Sequence, residues 1–213
     1  MSEVIFYEYW RSSAAYRVRI ALNLKGVAYR SMPLDLTMGV QSSAEYLAIN
    51  PQGLVPALAI DGLLLTQSLA IIDYLDAQYK DPPMVSSDPA ARSRTLAQAL
   101  LIAADIHPLN NLRVLHYLRG PLGQDEDAIS TWYRHWIAEG FAALEQQAPQ
   151  AGLFGGNSPN MADVCLVPQM ANARRFDTPL EPYPRLLRID QQLCALPAFA
   201  AAAPEAVMPA AKN

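Results

Sequence analysis

Two adjacent serines stand where the first predicted strand of the chain passes into its first predicted helix. Ser12 and Ser13 precede an apolar helical pattern that runs to Lys25 and stops at Gly26. A helix N-terminus carries unsatisfied N–H donors and the positive end of the helix dipole, so it stabilises an anion such as a thiolate. A serine hydroxyl can donate a hydrogen bond to the same sulfur. From the local sequence alone, simple N-capping is the commoner explanation of both serines.

Arginines are the candidate ligands for a carboxylate, because the planar guanidinium group forms paired hydrogen bonds with it. Arg11 lies beside Ser12, and Arg113 and Arg175 lie in the helical second half of the chain. Arginine on a helix is also commonly a solvated surface residue, and for Arg175 the two interpretations stay open. We expect the surface role for Arg92, Arg94 and Arg119.

His107 has a side chain that titrates near neutral pH, which would suit acid–base catalysis. It precedes a proline and lacks a paired carboxylate to orient its ring, so we favour a binding or structural role. A long helix is predicted over 90–119. In that helix His107 and Asn111, four residues apart, would share a face, as would Asn110 and Arg113, three residues apart.

The first 80 residues alternate between strand and helix patterns. The predicted elements are a strand at 4–7, a helix at 12–25, a strand at 28–34, a short helix at 43–48, a hairpin at 57–65 and a helix at 67–79. Asp61-Gly62 is the turn signal of the hairpin. This order predicts an α/β domain that ends in an antiparallel pair.

Beyond a proline- and serine-rich linker at 81–89, every pattern is helical. Further helices are predicted over 125–147 and from Met161 onward. Asn160 and Asp163 form a capping pair, which we interpret as a folding element. We therefore predict an α/β domain over 1–83 and an all-α domain over 88–213, with a frayed tail from Pro204.

The composition limits the classes of function. The 213 residues are 52% hydrophobic and 17% charged, with a net charge of −4, which predicts a folded core and argues against a nucleic-acid partner. Cys165 and Cys194 lie far apart, so we expect two buried thiols rather than a disulfide scaffold or a metal site. Neither a secretory signal nor a membrane span is evident, and we expect a soluble cytoplasmic protein.

Several motifs, in chain order, carry a resemblance to a known family. Residues 9–13 and 16–22 resemble the signature of zeta-class glutathione transferases. The segments 50–58 and 67–72 are similar to the glutathione-site motifs of the wider superfamily, whose capping motif matches Asn160–Asp163. Residues 105–113 resemble the bacterial maleylacetoacetate and maleylpyruvate isomerase branch. The resemblance covers nearly the whole chain.

This resemblance implies the glutathione-transferase fold, with a thioredoxin-like N-terminal domain and an all-α C-terminal domain, in a homodimer. It implies glutathione as cofactor and Ser12 as the partner of its thiolate. It also implies a cis Val55–Pro56 bond, although most X–Pro bonds are trans. The residues expected to bind glutathione are Ser12, Ser13, Gln41, Val55, Pro56, Gln67, Ser68, His107, Asn111 and Arg113.

The implied activity is glutathione-dependent cis–trans isomerisation of a small dicarboxylic keto acid, maleylacetoacetate or maleylpyruvate, in aromatic catabolism such as tyrosine degradation. Thiolate addition would make the cis double bond single, so that it rotates before elimination. Arg11, Arg113 and Arg175 are expected to hold the carboxylates and stabilise the enolate, with Ser12 and Ser13 completing the catalytic set. Ala14 stands where zeta enzymes often carry cysteine, so glutathione must supply the sulfur.

Two other functions stay open. A general glutathione transferase would conjugate electrophiles or dehalogenate α-halo acids, and its site would usually have an apolar lining. A non-catalytic, transferase-like binding protein would be suggested by loss of the Arg-Ser-Ser run, which is present at 11–13. The sequence does not distinguish maleylacetoacetate from maleylpyruvate.

Overall fold

The computed structural model describes residues 3–209 of the chain. These residues form two compact units, the first from the described parts of Met1–Pro83 and Ala195–Asn213 and the second from Met84–Cys194. The domain limits 1–83 and 88–213 remain a prediction, and the units differ from them in the segment after Cys194. That segment packs on the first unit, because Asn23 Nδ2 donates to the Ala198 carbonyl at 2.9 Å.

A four-stranded sheet with helices forms the first unit. Its elements are β1 (Ile5–Glu8), α1 (Ser13–Leu24), β2 (Arg30–Pro33), α2 (Ala44–Ile49), β3 (Ala57–Ile60), β4 (Leu63–Thr66) and α3 (Ser68–Gln78). The strand order is β2-β1-β3-β4, with β1 parallel to β2 and antiparallel to β3. The predicted β-α-β-α-β-β-α order is confirmed. Asp61 and Gly62 both have positive φ, as the tight turn between β3 and β4 requires.

The core of this unit lies under α1 and α3. Ile20 and Leu22 of α1 and Ile71 and Leu75 of α3 are fully buried. The helix α1 is buried along nearly its whole length, so its polar residues cannot all reach solvent.

Helices α4 to α9 build the second unit. They are α4 (Pro89–Leu100), α5 (His107–Leu109), α6 (Leu112–Arg119), α7 (Glu126–Gln147), α8 (Met161–Arg175) and α9 (Pro184–Cys194), with a π-helical turn over Leu101–Ile106. Of the described helices, none combines the length and apolarity that crossing a membrane requires.

The prediction of a single long helix over 90–119 is wrong. Pro108 has no N–H to donate to the carbonyl four residues earlier, and the π-helical turn precedes it. Asn111 has extended backbone angles and caps α6, its side-chain oxygen accepting from Arg113 N at 3.1 Å. The prediction that His107 and Asn111 share one helix face is therefore wrong, as is the same prediction for Asn110 and Arg113.

The start of α8 carries the predicted capping box. Asn160 accepts from two backbone N–H groups of α8, and Asp163 accepts in return from Asn160 N at 3.0 Å. Phe154 N and Gly155 N also donate to the Asp163 carboxylate. Burial nevertheless raises the pKa of Asp163 to about 6. The box therefore ties the preceding loop to the helix.

Two minor predictions need correction. Cys165 is buried as expected, but Cys194 is exposed in the last turn of α9, where its Sγ lies 3.7 Å from an Asp190 oxygen. The tail also contains more structure than predicted. It begins with the short helix α11 (Pro204–Val207), which follows the short helix α10 (Pro197–Ala200), while 210–213 lie outside the described residues.

Candidate functional site

The strand register gathers three of the predicted glutathione segments at one edge of the sheet. Tyr7 near the end of β1 pairs with Ala57 at the start of β3, and Ala57 pairs with Thr66 at the end of β4. The segments that follow β1, precede β3 and follow β4 therefore leave the same edge. They carry Arg11 to Ser13, Val55-Pro56 and Gln67-Ser68.

Ser12 is the N-cap of α1. Its Oγ accepts a hydrogen bond from Ala15 N at 3.2 Å, so the capping role considered from the sequence is real. The bond uses an oxygen lone pair and leaves the hydroxyl proton available, so capping does not prevent donation to a thiolate. Ser13, the first residue of α1, is buried. Arg11 is exposed, and its guanidinium lies 4.7 Å from the centre of the Trp10 ring.

Val55 joins Pro56 through a cis peptide bond, as the family resemblance implied. Among the hydrogen bonds of residues 3–209, none engages the Val55 N–H or C=O. Both groups are therefore available to a peptide that adds alongside the sheet as an extended strand.

Gln41 lies in a short 3₁₀ turn, Val40–Ser42, and its amide oxygen is buried without a protein partner in the described part of the chain. A buried acceptor left unpaired is costly, and a ligand N–H would satisfy it. Together with the free Val55 backbone groups, this orphaned oxygen fits a peptide cofactor such as glutathione.

Gln67 and Ser68 begin α3. Gln67 has φ of 68°, a conformation that residues other than glycine rarely adopt and that often marks functional sites. Its Nε2 donates to Gln52 Oε1 at 2.8 Å. Ser68 is buried at the N-terminus of α3, where the helix dipole favours an anion, and its Oγ accepts from Arg17 Nη1 at 3.4 Å.

The remaining predicted site residues belong to the second unit. His107, half-buried, opens α5 directly after the π-helical turn. Arg113 is exposed on α6. Arg175, also exposed, is held at the end of α8, where its Nη2 donates to Asn172 Oδ1 at 2.7 Å and its guanidinium lies 5.0 Å from the Phe176 ring centre. Asn111 has its side-chain oxygen engaged in capping α6.

Two buried arginines were missed as functional candidates. Arg17 contacts Ser68, and Arg19 pairs with the buried Glu8. A signal existed in the sequence, because the run Tyr-Arg-Val-Arg-Ile-Ala-Leu at 16–22 leaves no polar face on the helix. An arginine in such a run must be buried, and a buried charge requires a partner.

Comparison with known proteins agrees with this geometry. Residues 6–83 match the family model described as the glutathione S-transferase N-terminal domain. A probable maleylacetoacetate isomerase of Vibrio cholerae is 51% identical over 209 residues, covering 96% of this chain and 97% of its own.

Two solved structures share the fold along almost the whole length. A holo maleyl pyruvate isomerase, a bacterial zeta-class glutathione S-transferase, superposes with a TM-score of 0.94 at 43% identity, covering 97% of this chain and 100% of its own. The maleylacetoacetate isomerase of Methylobacterium extorquens AM1, with bound malonate and GSH, superposes with a TM-score of 0.92 at 39% identity and the same coverage. The chain therefore belongs to the zeta-class glutathione transferase family, within the branch of the maleylacetoacetate and maleylpyruvate isomerases.

Proposed function

We propose that this protein is a glutathione-dependent isomerase that converts a cis dicarboxylic keto acid, maleylacetoacetate or maleylpyruvate, into its trans isomer. The observation that carries the proposal is the adjacency of Arg11 and Ser12 at the N-terminus of α1. A group able to stabilise a thiolate lies next to one able to bind a carboxylate. The relatives that match the chain over its whole length are named for both substrates.

Glutathione, when bound, supplies a thiolate that can add to and leave from the conjugated double bond. The Ser12 hydroxyl donates to that sulfur, and the α1 N-terminus adds its dipole. The Val55 N–H and C=O bind the cysteinyl portion, while Ser68 receives the γ-glutamyl carboxylate at the N-terminus of α3. We assign Gln41 and His107 to the binding of the glycine end of glutathione.

Arginines bind the two carboxylates of the substrate. We assign this role to Arg11, Arg113 and Arg175, whose guanidinium groups also stabilise the negative charge that develops on the enolate oxygen. Malonate, a small dicarboxylate, is bound together with GSH in the Methylobacterium relative, which supports a dicarboxylic substrate here. Ala14 leaves no thiol of the chain beside Ser12.

The proposal is tested by following the absorbance of each cis acid with purified protein, with and without glutathione. Rapid loss of one acid that requires glutathione supports the isomerase and identifies its substrate. S-methylglutathione, which lacks the thiol, is the matched control and should support no turnover. If neither acid reacts while chlorodinitrobenzene is conjugated, the protein is a general glutathione transferase and the proposal is wrong.

The assembly is proposed to be a homodimer in the cytoplasm. The edge strand β4 exposes Leu63 and Leu64, and exposed apolar residues on a sheet edge are commonly covered by another protein surface. Sedimentation equilibrium of the wild type and of Leu64→Lys tests the assembly. A wild type that remains monomeric at micromolar concentration contradicts it.

A further inference from the structure

A fully buried arginine lies beneath the segment that carries Arg11 and Ser12. Arg19, on α1, has no exposed surface and forms an ion pair with Glu8 at the end of β1. The Glu8 carboxylate also accepts from Ser31 Oγ at 2.7 Å. Because desolvation offsets most of the attraction in a buried ion pair, such a pair contributes little net stability. The other donors of Arg19 indicate a different role.

Those donors hold one peptide bond of the site. Arg19 Nη2 donates to the Trp10 carbonyl at 3.0 Å, and that carbonyl belongs to the peptide plane shared with Arg11. A peptide unit is planar, so holding its oxygen also sets the direction of the Arg11 N–H and of the following chain. Ser12 N closes the turn by donating to the Tyr9 carbonyl at 2.9 Å. The guanidinium group therefore sets the orientation of this turn.

The Arg19 guanidinium is also held by the C-terminal segment 197–202. Arg19 Nε donates to the Ala202 carbonyl at 2.9 Å. Phe199 and Ala202 are fully buried, and Asn23 of α1 binds the Ala198 carbonyl. A guanidinium presents its donors in a rigid fork, so a shift of one acceptor is transmitted to the others. The C-terminal segment and the Trp10–Arg11 peptide are thus joined through one rigid group.

We propose that Arg19 is a positioning residue for the Arg11–Ser12 turn, and that the segment 197–202 acts through Arg19 to hold the Ser12 hydroxyl and the Arg11 guanidinium in place. The inference rests on the proposed function only for the roles of these two side chains. Its consequence is that ionisation of bound glutathione depends on a part of the chain that is nearly 190 positions from Ser12 in sequence.

Arg19→Lys is the first test variant. Lysine keeps a positive charge opposite Glu8, but its single ammonium group cannot bind both carbonyls in the geometry of the fork. Thiolate absorbance of bound glutathione, followed against pH, gives the thiol pKa directly. We expect that pKa to rise and kcat/KM for the cis acid to fall by about tenfold to a hundredfold, as small displacements of catalytic groups do.

Phe199→Ala is the second test variant, since it loosens the segment 197–202 and leaves Arg19 in place. It should also raise the thiol pKa of bound glutathione, but by less than Arg19→Lys does. Phe141→Ala, at a fully buried aromatic of α7 in the second unit, is the matched control. It should lower the melting temperature comparably and leave the thiol pKa of bound glutathione unchanged.

The outcomes separate this inference from the proposed function. If Arg19→Lys and Phe199→Ala lower only the melting temperature, as Phe141→Ala does, Arg19 is structural and the inference is wrong. If the wild type ionises bound glutathione but isomerises neither acid, the proposed function fails, while a rise in thiol pKa in both variants still supports the role of Arg19.

Discussion

Arg17 Nη1 lies 3.4 Å from the hydroxyl oxygen of Ser68, and both residues are buried between α1 and α3. Ser68 begins α3, where a carboxylate would meet free N–H groups and the positive end of the helix dipole. The arginine thus places a positive charge beside the atom proposed to bind the γ-glutamyl carboxylate. This contact joins the signature of α1 to the glutathione motif of α3.

Replacing Arg17 with Met should weaken glutathione binding by about tenfold to a hundredfold, because a hydrogen bond from a charged donor contributes roughly 1.5–3 kcal/mol. The measurement is Kd by calorimetry for glutathione and for an analogue without the α-carboxylate of its γ-glutamyl group. The variant should lose affinity for glutathione and bind the analogue as the wild type does. Equal losses for both ligands would show that Arg17 acts on the fold rather than on the carboxylate.

Ser12→Ala should separate capping from catalysis when it is compared with Ser43→Ala. The two serines cap α1 and α2 with the same hydrogen bond, each Oγ accepting from the backbone N–H three residues later at 3.2 Å. Each substitution should lower the free energy of unfolding by about 1 kcal/mol through the lost cap. Only Ser12→Ala should raise the thiol pKa of bound glutathione and lower kcat/KM, by about a hundredfold.

Urea unfolding gives the free energy of unfolding of each variant, and stopped-flow turnover gives kcat/KM. If Ser12→Ala and Ser43→Ala have the same activity, the hydroxyl of Ser12 is a cap and nothing more.

Much of the fold follows from local signals in the sequence. Asp61-Gly62 specifies a tight turn, and Ser12, Ser43 and Asn160 each place an acceptor where a helix begins. These signals act over three or four residues, so the elements they bound could be predicted. The strand register then gathers the glutathione segments at one sheet edge.

Interactions that depend on distant partners could not be predicted in the same way. The break in the helix predicted over 90–119 is a different case, because its signals were local: the missing N–H of Pro108 and the capping side chain of Asn111 interrupt the backbone ladder although the apolar spacing continues through 101–109. Nothing in the composition of the segment 197–202 shows that its carbonyls meet Arg19 and Asn23. Only after assembly of the sheet do the buried arginines face Glu8 and Ser68.

Asp163 should make stability depend on pH in a specific direction. Burial raises its pKa from the ordinary 3.8 to about 6, against the N–H donors of Asn160, Gly155 and Phe154. Since the folded pKa lies above the unfolded one, this group's contribution to the free energy of unfolding is fully present below about pH 4 and is lost as the pH rises through about 6. At roughly 1.4 kcal/mol per pKa unit, the loss is about 3 kcal/mol.

Asp163→Asn removes this titration. The free energy of unfolding of the wild type minus that of the variant should therefore fall between about pH 4 and pH 7, because the other groups cancel in the difference. Urea titrations at several pH values measure it. A difference that stays constant or grows with pH would mean that the carboxylate is ionised in the folded protein throughout this range.

Alanine substitutions should show which arginines bind the substrate. Arg11→Ala, Arg113→Ala and Arg175→Ala are each expected to lower kcat/KM for the cis acid by about tenfold or more, because each removes a charge-assisted hydrogen bond. Arg94, exposed on α4, is the matched control and its alanine variant should behave as the wild type. Unchanged kcat/KM in both Arg11→Ala and Arg113→Ala would refute the assignment.

Gly140 leaves the space that the π-helical turn before His107 occupies, so a larger residue at this position should destabilise the protein. A Cβ at this position of α7 would lie 2.2 Å from Ile106 Cδ1 and 2.3 Å from Ile106 Cγ1, and Ile106 is the buried last residue of the π-helical turn. Alanine favours a helix by about 1 kcal/mol over glycine. Overpacking a buried contact costs about 1–3 kcal/mol, so we expect Gly140→Ala to lower the free energy of unfolding.

The double variant Gly140→Ala/Ile106→Ala tests the cause. Alone, Ile106→Ala should cost about 2–5 kcal/mol by leaving a cavity. In the Gly140→Ala background its cost should be smaller by at least about 1 kcal/mol, because the new methyl group occupies that space. Since the turn leads directly into His107, Gly140→Ala should also raise KM for glutathione, and the double variant should recover part of it. Additive unfolding energies would show that the two side chains do not compete for the same volume, and an unchanged KM would show that the turn does not position His107.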